Sequence, residues 1–384
     1  MITRSILQEA KFALTQFRAL CITGPRQSGK TTLSKLLFKN RPYVNFEDPS
    51  IQFQFQDNPS LFLEKFKNGA VFDEVQRVPD VFRYLQVLLD TNTTRGQFIL
   101  TGSNNFLLQQ QVSQSLAGRA GYLTLLPLSF EELKNEGFIV SDLNQIMLTG
   151  GYPEIWNEKL QPSKWLESYI KTYLQRDVRQ IRNINNLAQF NRLLQLCANH
   201  AGQILNREEL AKQVGVDTKT IQAWIGLLES SYVLFQLQPW YNNLNKRVIK
   251  SPKLYFYDTG ILCKLLNINT KNTLAKHNSY GAIFENWCIS EVYKNRFNRG
   301  LGEGLFYFRD STGNEIDLIL EKETGPLAIE IKSSTGEDLK LTAGLKYWSK
   351  NQPGKQGVII YQGKSSENSL LNFDFLSWTE IDNV

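Results

Sequence analysis

The stretch "ALCITGPRQSGKTTLSKLLF" constrains this chain more than any other. A β-like run, Ala19 to Thr23, leads into Gly24-Pro25-Arg26-Gln27-Ser28-Gly29-Lys30-Thr31, and an amphipathic helix pattern comes next. Two glycines at this spacing, then lysine and a hydroxyl residue between strand and helix, form a loop whose backbone N–H groups turn inward. The start of the helix adds its positive dipole. The spacing predicts that Gly24, Gln27, Ser28, Gly29, Lys30, Thr31 and Thr32 line a site for ATP. Lys30 bridges the β- and γ-phosphates there, and the Thr31 hydroxyl binds Mg²⁺.

The next apolar runs fit a parallel sheet around this loop. "YVNFED", "AVFDEV", "QFILTGS" and "GYLTLLPLS" alternate with helical segments, which is the rhythm of βαβ units. "AVFDE" is an apolar strand ending in two carboxylates. Asp73 is expected to hold Mg²⁺ and Glu74 to polarise the attacking water, as phosphoryl transfer requires. "TGSNN" ends the next strand, where Ser103 or Asn104 is either a γ-phosphate sensor or a polar strand cap. Arg119 stands just before the fifth strand.

Composition bounds the rest. A chain of 384 residues exceeds what one core usually supports, so several domains are expected. A net charge of +6 permits nucleic acid as a partner without requiring it. The four cysteines form no CxxC pair and read as buried residues of a reducing compartment. Only His200 and His277 are available, which argues against histidine-based catalysis. The first residues pattern as an amphipathic helix without a signal peptide's apolar core, and no run approaches a membrane span. A cytoplasmic location with no membrane partner is expected.

Residues 148–200 pattern as a connector or lid, opening on the glycine-rich "LTGGYPEIW" and continuing as amphipathic helices. "NREELAKQVGVDTKTIQAWIGLLES" reads as helix–turn–helix, with Gly215 at the turn and Asp217 as the second helix's cap. Ile221, Ile225 and Leu228 recur at core spacing, leaving Lys219, Gln222 and Ala223 outward, where a recognition helix meets a major groove. A β-wing with Lys246, Arg247, Lys250 and Lys253 is predicted after it, its cations placed for phosphates. Such a module also serves as a protein-packing surface, and both readings stand.

Toward the end, "GAIFENWCISEVYKNRF" is a helix pattern bearing Glu285, and "LFYFRD", "EIDLIL", "LAIEIKSS", "GLKYWSKN" and "GVIIYQG" come after it. Alternation puts Glu330 and Lys332 on one face. Folding the hairpin at Thr324-Gly325 places Asp317 opposite Lys332 and beside Glu330, with Glu315 farther out on the same face. Glu285, Asp317 and Glu330 are candidate Mg²⁺ ligands. Lys332 is placed to orient or deprotonate a water. The bland alternative is a half-exposed hairpin whose charges alternate with core.

With "GPRQSGKTTL", "VFDEVQ", "FILTGS", "SLAGRAGYLTLLPLSFEEL", "SPKLYFYDTG" and "GAIFEN" in view, the chain resembles prokaryotic P-loop ATPases of the AAA superfamily that carry a long C-terminal region. The resemblance implies an AAA-type ATPase core over 1–147 with Thr31, Asp73 and Glu74 at its nucleotide site. It also implies a homo-oligomer in which Arg119 reaches a neighbour's γ-phosphate as a finger; a plain surface arginine is the alternative. The last region resembles the PD-(D/E)xK nucleases, with Asp317, Glu330 and Lys332 as the motif and Glu285 as a further carboxylate. The expected fold is α/β and multidomain: the parallel-sheet core, the connector over 148–200, a winged helix over 201–260 and a restriction-endonuclease-like α/β domain over 261–384. Two functions are expected from these parts. One is an ATPase acting on DNA and coupled to a metal-dependent nuclease, and the other is a nucleotide-controlled binding switch whose last domain is structural.

Overall fold

The computed structural model describes residues 2–103, 112, 114–138, 141–174, 186–240, 251–310, 312–337, 343–351, 357–368 and 373–384. Two sheets organise them. The first has five parallel strands in the order β2-β3-β4-β1-β5, with β1 Ala19–Thr23, β2 Tyr43–Asn45, β3 Ala70–Asp73, β4 Phe98–Gly102 and β5 Ala120–Thr124. Strands β1 and β4 are buried along their whole length, because helices cover both faces. Strand alternation then sorts the side chains. Ala19 and Cys21 enter a phenylalanine-rich core with Phe46, Phe72 and Phe98. Leu20 and Ile22 enter the opposite core, under Ala10 and Ala13 of α1 (Leu7–Gln16) and Leu33 of α2 (Lys30–Leu37).

The second sheet has eight strands in the order β12-β13-β11-β10-β9-β8-β6-β7. Their spans are β6 Leu234–Pro239, β7 Lys253–Phe256, β8 Leu305–Arg309, β9 Glu315–Lys322, β10 Gly325–Lys332, β11 Gly357–Tyr361, β12 Ser366–Asn368 and β13 Phe373–Ser377. Strands β8, β9 and β10 run antiparallel in turn, and β11 joins β10 in parallel. The long helix Tyr280–Asn298 precedes them, and the helix Ala343–Asn351 crosses from β10 to β11. This is the expected order of helix, three strands, helix and strand.

The helix–turn–helix forms as read, over Arg207–Val214 and Thr218–Ser230. Gly215 takes φ 81° at the turn and Asp217 accepts from Thr220 N. Ile221, Ile225 and Leu228 are buried. The strands after this helix pair do not complete an independent module. Strand β6 pairs antiparallel with β7 and in parallel with β8, so both strands form the edge of the C-terminal sheet. One continuous core holds Leu193 of the connector, Ile225 of the helix pair, and Trp287 and Ile329 of the last region. The expected divisions near 200 and 260 therefore run through packed structure. Among the described residues, no helix is long and apolar enough to cross a membrane.

Candidate functional site

The phosphate loop leaves β1 at the carboxyl edge of the parallel sheet, where helix N–H groups and strand ends converge. Gly24 has φ 146°, and a Cβ there would collide with the Leu125 carbonyl, so only glycine fits. Gln27 and Gly29 also take positive φ, 62° and 96°. The Lys30 ammonium is buried and rests on the carbonyls of Gly24 (2.9 Å) and Pro25 (2.8 Å). Burial pulls its pKa down, partly opposed by Glu74 and Asp73.

Asp73 closes β3 and gathers three hydroxyl donors. Thr31 donates to Oδ2 at 2.7 Å and Tyr43 to the same oxygen at 2.5 Å, while Thr101 donates to Oδ1. Burial and Asp73 together push the Tyr43 phenol well above its ordinary value. Glu74 comes next in the left-handed region, φ 55°, which costs a non-glycine residue strain and recurs at working sites. Its carboxylate accepts from Gln76 and from Ser103 Oγ at 3.1 Å. The sensor candidate Ser103 thus touches the candidate base, and Asn104 lies outside the described residues. Thr32 is exposed at the loop's rim.

The fit to ATP and Mg²⁺ rests on this donor set. The Ser28 hydroxyl is buried with no hydrogen-bond partner among the described residues, as a phosphate-facing group requires. Thr31 and Asp73, already side by side, supply a hydroxyl and a carboxylate for Mg²⁺. A cavity of ≈ 410 Å³ lies over Lys30 and Thr31, walled by Glu47 and Glu74. It is roofed by Pro153, Glu154 and Asn157 of the short helix Pro153–Asn157. Arg119 lies at the other end of β5 from this loop, where its Nε and Nη2 donate to the two carboxylate oxygens of Asp90, at 2.5 and 2.9 Å.

Sequence reading missed the loop's main brace, Arg4. Its guanidinium donates to Ser28 O (2.6 Å), Leu126 O (2.7 Å) and Glu132 Oε1 (3.0 Å). Tyr43 and Thr101 were missed as well. Their signal was positional: each stands on a strand flanking β3.

The C-terminal carboxylates are arranged differently from expectation. The β9–β10 ladder runs from Gly325↔Lys322 to Ile329↔Leu318. Asp317 is therefore set against Glu330, not opposite Lys332. Beyond that point the strands splay, and Asp317 Oδ2 accepts from Ile331 N at 2.8 Å. Lys332 reaches both acids, 2.5 Å from Glu330 and 3.5 Å from Asp317. Burial and the charge of Asp317 push Glu330 up to about 8 and Glu285 up to about 7. Lys253, read as a phosphate-contacting wing cation, is instead buried and ion-paired with Glu315 and with Glu285, at 3.5 Å from the latter. Lys246, Arg247 and Lys250 lie outside the described residues. Tyr255, two residues on along β7, donates to Glu285 at 2.5 Å. Asp317 and Glu330 share Lys332, and Glu285 and Glu315 share Lys253. Among the described residues no three acidic, histidine or cysteine side chains are placed to hold one metal ion. The residues of this second cluster do not fit a divalent metal as they stand.

Loop, strand order and carboxylate pair together define a P-loop ATPase of the AAA type. Residues 16–134 match the family model described as "AAA domain". Residues 140–272 and 280–380 match two further models, each a domain of unknown function, DUF8612 and DUF4143. The chain belongs to the same family as the uncharacterized protein Rv2008c of Mycobacterium tuberculosis. The two are 32% identical over 327 residues, 84% of this chain and 72% of that one. The uncharacterized protein MJ1544 of Methanocaldococcus jannaschii is 25% identical over 88% of this chain and 83% of its own length. Among solved structures, the Walker-type ATPase PABY2304 of Pyrococcus abyssi is similar at a TM-score of 0.48. It is 14% identical and covers 68% of this chain and 94% of its own.

Proposed function

We propose that this chain hydrolyses ATP and uses the nucleotide to set how its C-terminal region engages DNA. The observation that carries the reading is the arrangement of Lys30, Thr31, Asp73 and Glu74 under a roof supplied by the connector. Lys30 exchanges its loop carbonyls for phosphate oxygens, and Thr31 and Asp73 hold Mg²⁺. Mg²⁺ held by Thr31 and Asp73 would supply charge neutralisation for the phosphates. Glu74, aimed by Ser103 and Gln76, orients a water and accepts its proton. Arg119 is remote from its own loop and paired with Asp90, so in a homo-oligomer it would act as a finger on a second copy's nucleotide only once that pair opens. Lys219 and Gln222 on the exposed face of Thr218–Ser230 supply the DNA contact.

A second reading keeps Asp317, Glu330 and Lys332 as a nuclease-like site, which would take a metal ion only after its carboxylates give up their lysine partners. It is favoured by the splay of β9 from β10 at Asp317, which leaves that carboxylate at a bend.

The test is Glu74→Gln. Hydrolysis is expected to fall about 10²-fold or more while nucleotide still binds. Normal turnover would remove Glu74 as the base. The same variant, loaded with ATP, is expected to differ from the nucleotide-free protein in its affinity for duplex DNA. Equal affinities would exclude nucleotide control of DNA binding.

A further inference from the structure

The second acidic cluster is filled from within the chain. Glu285 projects from the helix Tyr280–Asn298, Glu315 from the start of β9, and Asp317 from the bend. Lys253 enters between the first two from β7. Its ammonium is 3.5 Å from Glu285 Oε1 and pairs closely with Glu315 Oε1. The lysine residue is only 3% exposed, so the charge is not a rim charge screened by water. Burial alone lowers the ammonium's pKa, but Glu285, Asp317 and Glu315 outweigh it, and the value ends raised.

The backbone around Lys253 is fixed on both sides. Leu237 faces it in β6, and Ile204 bridges it from the other side. Leu205 N binds Pro252 O at 2.8 Å and Gly202 N binds Leu254 O at 2.7 Å. The lysine is thus carried on a strand stitched to the segment that leads into the helix–turn–helix.

We propose that Lys253 is a tethered cation that occupies the carboxylate cluster of the C-terminal domain and keeps divalent metal out of it. This rests on the nuclease-like reading of Glu285 and Asp317, and it explains why those residues, present and half-buried, do not form a metal site as they stand. One ammonium between the two carboxylates cancels half of their charge, fills the space a metal ion would take, and repels a second cation at close range. The lysine also supplies the opposite charge that these half-buried carboxylates favour when no ion is bound.

The experiment is Mn²⁺ binding to the full-length chain without nucleotide, by isothermal titration calorimetry. Wild type, Lys253→Met, Lys253→Arg and Lys253→Met/Glu285→Gln are compared, so that any ion at the P-loop is common to all. Lys253→Met is expected to gain one ion, bound roughly tenfold or more tighter than anything wild type holds there. Lys253→Arg gains none, and the double variant loses the gain. No gain in a folded Lys253→Met overturns the proposal. Should that variant fail to fold, Glu285→Gln alone decides: wild type that loses a bound Mn²⁺ on this change was never closed by the lysine, and unchanged stoichiometry supports closure. DNA cleavage is assayed alongside. Metal uptake by Lys253→Met without cutting supports the tethered cation and removes the nuclease reading instead.

Discussion

At the scale of single residues, the nucleotide site depends on a side chain far away in sequence. Arg4 ties the phosphate loop, through Ser28 O, to the end of the sheet at Leu126 O and to Glu132, whose side chain is fully buried. Removing one partner of a buried ion pair leaves the other uncompensated, which costs about 3 to 5 kcal/mol. Glu132 also accepts from Ser5 N and Ser129 N, so the lower end of that range applies here. Arg4→Met is expected to lose about 3 kcal/mol in urea unfolding and to weaken ATP binding. A loss under about 1 kcal/mol with normal ATP affinity would show that the loop holds its shape without this brace.

At the scale of elements, close approach overrides helix propensity. Gly344 stands in the first turn of the helix Ala343–Asn351, where alanine would raise propensity by about 1 kcal/mol. A Cβ there collides with Glu330 Oε1 and crowds the carbonyl of Glu315, because the helix lies directly on the splayed end of β9 and β10. Gly344→Ala is therefore expected to destabilise by about 1 to 3 kcal/mol net of propensity. A higher urea midpoint for the variant would show that the helix sits farther from Glu330. The same hairpin shows what a sequence can and cannot disclose. The shared face of Asp317, Glu330 and Lys332 was legible, since alternation fixes which way each side chain points. The ladder register was not, because Gly325 serves as the first paired residue and not as part of the turn. The observed ladder differs from the expected one by two residues, a shift that leaves every face intact, so no apolar pattern reports it. Lys253 was illegible for a different reason. A lysine within "SPKLYFYD" has the look of a strand's wet edge, and only its distant partners, Glu285 and Glu315, make burial tolerable.

At the scale of the whole molecule, the ATPase core and the C-terminal region are joined beside the phosphate loop. Tyr232, just past the helix–turn–helix, bonds Thr23 Oγ1 at 2.6 Å, immediately before the phosphate loop. Tyr169 of the connector donates to Arg26 O within that loop at 3.3 Å. Beyond β5, Phe130 N donates to Glu291 at 2.6 Å and Lys294 donates to Leu128 O at 3.2 Å, both partners lying on the helix that also carries Glu285. The strand and loop motifs made the nucleotide site readable, whereas these ties join residues more than a hundred positions apart and leave no local pattern. Their arrangement implies that filling the cleft orders the roof and the Tyr232 turn together with the loop. Binding a non-hydrolysable ATP analogue with Mg²⁺ at about a hundred times its Kd stabilises the bound state by about 2.7 kcal/mol. Amide exchange is then expected to slow by up to roughly 100-fold over residues 24–32, 153–158 and 230–233 alike. Exchange would be measured by mass spectrometry of peptides from the full chain. Protection confined to residues 24–32 would mean that the connector and the helix–turn–helix do not sense the nucleotide, and the coupling read from these contacts would be lost.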